Sequence, residues 1–190
     1  DSVFTLAHEM GHSMHSYYAK KNNSYLEHGY TIFAAEVAST FNEALLLDYL
    51  MKRVESDEEK LYLVDFYLNS FKSTVFRQTM FAEFERETHK LVEEGKGLTA
   101  EDFSKIYLDL NKDYFGPSMV SDERIGFEWM RIPHFYSDFY VYKYATGFTA
   151  STILANRVLR KEEGALENYF KFLKDGNKHF PIEQLRIAGI

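Results

Sequence analysis

The chain contains no cysteine, which removes thiol catalysis and thiolate zinc sites from consideration. Only three prolines and ten glycines interrupt its 190 residues, so helical periodicity can run long before anything breaks it. No run of about 20 apolar residues occurs, and no membrane span is expected. Basic clusters are missing too: 22 Lys and Arg against 29 Asp and Glu leave a net charge of −7. Nucleic acid is therefore not an expected partner, because phosphate recognition needs a positive footprint. The missing cysteines fit a reducing, cytoplasmic setting. No signal-peptide pattern opens the sequence, and residue 1 does not read as a natural N-terminus.

What remains is rich in apolar side chains, 45% of the total. That is enough for a real core in one domain covering residues 1–190. The apolar spacing predicts a mainly α fold, with any strands short and peripheral. Helices are expected over 3–20, 32–55, 57–94 with a break near Ser70–Ser73, 99–113, 126–130, 136–160 with kinks near Thr146 and Gly147, and 164–175. Thr99 to Asp102 has the spacing of an N-terminal cap, and Gly95 and Gly97 suit the end of the helix before it. Charge-rich stretches at 52–60 and 83–94 read as solvated helix faces.

Chemistry concentrates in His8-Glu9-Met10-Gly11-His12. Residues four apart on a helix stand on one face, roughly 6 Å apart at Cβ, so both imidazoles can reach one Zn²⁺. Glu9, one residue on from His8, suits a base better than a ligand, which is the division of labour in an H-E-x-x-H helix. Val3, Leu6, Ala7, Met10 and Met14 form an apolar stripe expected to be buried, with His8 and His12 along its edge. A second helical pattern, Ile32, Ala35, Val37, Phe41, Leu45 and Leu46, carries Glu36. Packed antiparallel on the first helix, it can complete a His₂Glu set. Three protein ligands leave zinc's fourth position to water, whose proton Glu9 can take as an amide carbonyl is attacked. The plain alternative is a helix with two surface histidines and a solvated glutamate nearby.

Around that set, Glu43 lies two turns from Glu36 on the same face, able to accept a hydrogen bond from a ligand histidine or else to sit in water. His15 shares the side of His8 and His12, but helical rise sets it roughly 10 Å from His8. It reads as a neighbouring or hydrogen-bonding residue around the site and not as a ligand. Residues 131–147 hold four tyrosines, two phenylalanines and one histidine. On a helix, Tyr136, Tyr140 and Tyr144 share a face and Tyr142 points elsewhere. Buried tyrosine hydroxyls need partners, so the segment is either an aromatic packing helix or a set of donors, His134 among them, for an oxyanion and a substrate backbone.

Four stretches carry a resemblance: residues 5–16 (TLAHEMGHSMHS), 33–43 (FAAEVASTFNE), 76–85 (FRQTMFAEFE) and 131–136 (RIPHFY). Together they resemble the oligoendopeptidase F group of the thimet-oligopeptidase family of zinc metallopeptidases, over essentially the whole chain. The resemblance implies a mainly helical zincin-type catalytic domain with one Zn²⁺ per chain held by His8, His12 and Glu36. It implies Glu9 as general base, with His134 and Tyr142, and Tyr136 or Tyr140, at the substrate or the oxyanion. It further implies cytoplasmic endopeptidase action on short peptides, by a catalytic fragment without the N-terminal lobe of enzymes about three times longer. Two other readings stay open: a metallo-carboxypeptidase or dipeptidyl carboxypeptidase, and a helical fragment that binds zinc or peptide without turnover.

Overall fold

Helical periodicity is realised throughout the computed structural model, which describes residues 2–190 and has no strand among them. The order is α1 (Ser2–Asn22), α2 (Ile32–Met51), α3 (Asp57–Phe71), a π turn at Lys72–Phe76, α4 (Arg77–Glu93) and α5 (Ala100–Phe115). Two 3₁₀ segments follow, Glu123–Arg131 and Pro133–Tyr136, then α6 (Tyr142–Leu159), α7 (Ala165–Asp175) and α8 (Pro181–Ala188). The chain forms two compact units, one made of residues up to Ser70 with Thr146–Ile190, the other of Phe71–Ala145. No described helix is long and apolar enough to cross a membrane.

In the first unit α2 is the central element. Phe33, Ala34, Ala35, Val37, Ala38, Ser39 and Phe41 are all buried, a wider set than one amphipathic stripe supplies. Phe41 stacks on Tyr169 of α7 at 3.8 Å, and Leu154, Ala155, Phe172 and Leu173 extend the same core. Along α1 the pairing descends: Ala7 O accepts from Asn42 Nδ2, Gly11 meets Ala38 and Ser39, and Ser16 bonds Tyr30. The two helices are therefore antiparallel.

The face that α1 buries differs from the expected one. Phe4, Gly11, His15 and Ala19 point inward, whereas Val3 and Leu6 are 60% and 64% exposed and Met10 and Met14 are exposed as well. The reason is steric: Gly11 and Ala19 are the small residues that let α1 lie close to its neighbours. His8 and His12 sit on that inner side, half-buried.

The second unit packs α4 on α5 around Met80, Phe81, Phe84 and Tyr107. Thr99 and Asp102 form the expected reciprocal cap of α5, with Asp102 Oδ2 accepting from Thr99 N at 2.8 Å. Gly95, at φ 84°, closes α4 in the left-handed turn that glycine favours. The buried carboxylate of Glu128 accepts hydrogen bonds from Tyr107 Oη (2.7 Å), Arg77 Nη2 (2.6 Å) and Arg131 Nη2. A buried carboxylate is tolerable only with such partners, and this one ties the first 3₁₀ segment to α4 and α5.

Four boundaries depart from the sequence expectation. The anticipated break at Ser70–Ser73 is a π turn and not an interruption. Residues 126–130 lie in a 3₁₀ segment. α2 stops at Met51. The largest departure is 136–160, where α6 starts only at Tyr142 because Pro133 opens a 3₁₀ turn and Phe139 takes φ 51°. From there α6 runs without interruption through Thr146 and Gly147. α8, which opens on Pro181 at a position suited to proline, was not foreseen.

Candidate active site

α1 and α2 bring three ligand-type side chains together at their crossing. His8 Nε2 lies 3.2 Å from His12 Nε2 and 3.7 Å from Glu36 Oε2. All the ligand atoms of this trio fall within 4.8 Å of one another. Tetrahedral zinc with ligands at roughly 2.0–2.1 Å has ligand–ligand edges of about 3.3 Å, so the two imidazoles already stand at the right spacing. Nitrogen lone pairs facing each other so closely repel unless a proton or a cation lies between them. The donor set thus suits a divalent cation of zinc's preference.

A glycine tightens each of two approaches to α2, one from α1 and one from α6. A Cβ on Gly11 would lie 2.5 Å from Ala38 O and 2.5 Å from Ser39 Cα. One on Gly147 of α6 would lie 3.1 Å from Glu36 Cβ. Glu36 is held between these two close approaches, and Ser39 Oγ donates to its Oε2 at 3.3 Å.

Glu43 sits behind His8, its Oε1 accepting from Nδ1 at 2.5 Å. That bond assigns the proton to Nδ1 and leaves the Nε2 lone pair for a ligand bond. The Glu43 hydrogen bond, aided by the charges of Glu43, Glu36 and Glu9, raises the His8 pKa above its ordinary 6.5, and burial opposes them. Glu9 stays exposed and, with Phe4, Thr5, His8, Glu43 and Phe66, lines an open depression.

His15 is 1% exposed, stacked on Tyr30 at 3.8 Å and tilted against Phe172 at 5.2 Å. Burial, with a smaller contribution from His12, lowers its pKa to about 4. Its Nδ1 finds no partner, so it packs as a neutral ring.

In the second unit the aromatic segment folds back on itself. The rings of His134 and Tyr140 stack at 5.5 Å, and Tyr144 meets both edge-on at 5.8 and 5.7 Å. Tyr144 Oη lies 3.3 Å from His134 Nε2. Tyr136 is 88% exposed, and Tyr142 is exposed in the first turn of α6. Tyr136, Tyr140 and Tyr144 therefore do not form a helical face, since no helix spans them. Tyr144 is the partner of His134 that the sequence reading did not single out; its signal was only its place in the tyrosine run.

Comparison with known proteins matches these features. The model of peptidase family M3 covers residues 1–190. Oligopeptidase PepF of Bacillus subtilis is 50% identical over the whole chain, and a chromosomal oligoendopeptidase F of Lactococcus lactis subsp. cremoris is 43% identical. The chain spans 28% and 32% of those two proteins. Among solved structures, oligoendopeptidase-F from Enterococcus faecium superposes with a TM-score of 0.89 at 47% identity, over 100% of this chain and 34% of that one. A putative peptidase from Chlamydophila abortus gives 0.92 at 44% identity, over 99% and 32%. With every residue matched by the family model, the chain belongs to peptidase family M3.

Proposed function

We propose that this chain is the zinc-holding catalytic portion of a peptidase that hydrolyses internal bonds of short peptides in the cytoplasm. The observation that carries the reading is the convergence of His8 Nε2, His12 Nε2 and Glu36 Oε2, with Glu43 fixing the tautomer of His8. His8, His12 and Glu36 would hold the ion. Bound there, it supplies Lewis acidity, polarising an amide carbonyl and acidifying water. Glu9, exposed one residue from His8, takes a proton on its carboxylate and returns it to the leaving amine. His134, Tyr142 and the neighbouring Tyr136 and Tyr140 offer ring N–H and O–H donors to the peptide and to the developing oxyanion. The chain spans about a third of its relatives' length, so the rest of such an enzyme would furnish the remaining walls of the cleft.

Zinc stoichiometry is the first test. One zinc per chain is expected, lost or much weakened by Glu36→Ala; unchanged affinity in that variant overturns the ligand set. Glu9→Gln should keep the metal while hydrolysis falls about 10²–10⁴-fold.

A further inference from the structure

Two energetically unfavourable features meet at one point of the second unit. Glu85, on α4, is only 4% exposed, and it borders a cavity of about 240 Å³ lined by Phe84, Phe103, Trp129 and Phe135. Its Oε1 accepts from the backbone N–H of Phe139 at 3.1 Å, while Oε2 is buried without a partner. Phe139 in turn is one of two non-glycine residues with positive φ among the described residues, at 51°. That conformation is unfavourable for an ordinary side chain, whose Cβ crowds the following carbonyl oxygen. The ring of His89, one turn along α4, packs on Phe139 at 4.8 Å.

The left-handed residue reverses the chain between the 3₁₀ turn at Pro133–Tyr136 and α6. The reversal lets Tyr140 stack back on His134 six residues earlier, with Tyr144 closing the cluster.

We propose that Glu85 is a positioning residue that clamps Phe139 in its left-handed conformation and thereby sets the His134–Tyr140–Tyr144 cluster. The inference rests on the reading that this cluster meets the peptide. Strain held at such a place persists only where its surroundings over-determine it, and Glu85 with His89 supplies that determination.

The acceptor matters more than the charge. Burial raises the Glu85 pKa, with Asp138 adding to the shift; the Phe139 N–H, His89 and Lys143 oppose it. Whether charged or neutral, the carboxyl offers Oε1 to Phe139. Glutamine can replace it, and leucine cannot.

The test compares Glu85→Gln, Glu85→Leu and the parent by amide exchange at Phe139, ring contacts of Tyr140 to His134, zinc content and hydrolysis of a quenched fluorescent peptide. Glu85→Leu should speed Phe139 exchange and lower kcat, each about tenfold or more, with zinc content unchanged. KM should shift less than kcat, and Glu85→Gln should keep exchange and kcat within about threefold of the parent. If Glu85→Leu does not fold, Glu85→Asp, shorter by one methylene, should show the same losses.

Parent-like exchange in Glu85→Leu overturns the clamp. Lost protection with parental kcat overturns the positioning role. If the parent binds zinc but cleaves nothing even when joined to the rest of the enzyme, the peptidase reading fails separately, and the exchange and ring contacts alone decide the clamp.

Discussion

Replacing Gly11 by alanine tests how closely α1 must approach α2. The added methyl would stand 2.5 Å from Ala38 O, 2.5 Å from Ser39 Cα and 2.9 Å from Ala38 C. Ordinary contact begins near 3.4 Å, so relief requires a displacement of about 1 Å (3.4 less 2.5). All three atoms are backbone, and no rotamer change can supply it. Gly11 is helical, so alanine gains about 0.8–1.0 kcal/mol in propensity. Overpacking typically costs about 1–3 kcal/mol, leaving a net loss of roughly 0–2 kcal/mol without metal.

The effect on zinc should be larger. His12 follows Gly11 directly and Glu36 lies two residues before Ala38, so moving one helix separates the ligands. Metal sites tolerate about ±0.2 Å in ligand distance, several times less than the forced shift. At least about tenfold weaker zinc binding is expected, the scale seen when a ligand's orientation is lost. Competition against a chromophoric chelator would read it. Met10→Ala, at a position 50% exposed on the same helix, is the control and should bind like the parent. If Gly11→Ala binds zinc within about threefold of the parent, and its melting temperature in EDTA is unchanged, the close crossing is not what shapes the site.

Other outcomes follow from the same contacts. Gly147→Ala brings a methyl to 3.1 Å from Glu36 Cβ, a milder intrusion, and should weaken zinc less than Gly11→Ala in the same competition. Glu43→Ala removes the acceptor on His8 Nδ1 and should weaken zinc about 10–100-fold; in the metal-free protein, NMR titration should show the raised His8 pKa falling back. His15, lowered from 6.5 to about 4 by burial, contributes stability that is complete above pH 6.5 and lost as pH falls through 4. That difference between the folded and unfolded imidazole corresponds to about 3 kcal/mol. His15→Phe should remove that part of the pH dependence in urea titrations with EDTA; curves parallel to the parent's between pH 4 and 7 would contradict a neutral buried imidazole.

Much of the fold was legible because long helices advertise their period. The cap at Thr99 and the glycine end of α4 were readable from local chemistry. α1 was legible as a helix but not in its orientation: its strongest apolar stripe, Val3, Leu6, Met10 and Met14, is exposed, and the inward face carries Gly11, His15 and Ala19. A hydrophobic pattern reports which face can be buried. It does not report where another backbone comes closest, and at that point small residues outrank large ones. The aromatic segment misled for a related reason. Tyrosines at 136, 140 and 144 keep helical spacing, yet one left-handed residue, stabilised from a different helix by Glu85, turns that spacing into a folded-back cluster. Nothing local to residues 136–144 encodes that partner.

The candidate site shows the same division more sharply. Candidate ligand identity is local information, since His8 and His12 are four residues apart on one helix and that spacing lets both imidazoles reach one ion. Ligand convergence is not local, because Glu36 reaches the pair only if α2 runs against α1 with almost no side chain between them. Gly11 sits inside the H-E-x-x-H pentapeptide at a position the motif leaves unspecified, and Gly147 stands far along the chain; both are placed against α2 beside Glu36. A helix-interior glycine gives up about 1 kcal/mol relative to alanine, so its presence there implies a compensating contact. In this chain the compensation is a pair of crossings that hold a carboxylate oxygen 3.7 Å from His8 Nε2. The two glycines thus belong to the proposed metal centre as fully as its three candidate ligands do, although neither has a side chain to offer an ion.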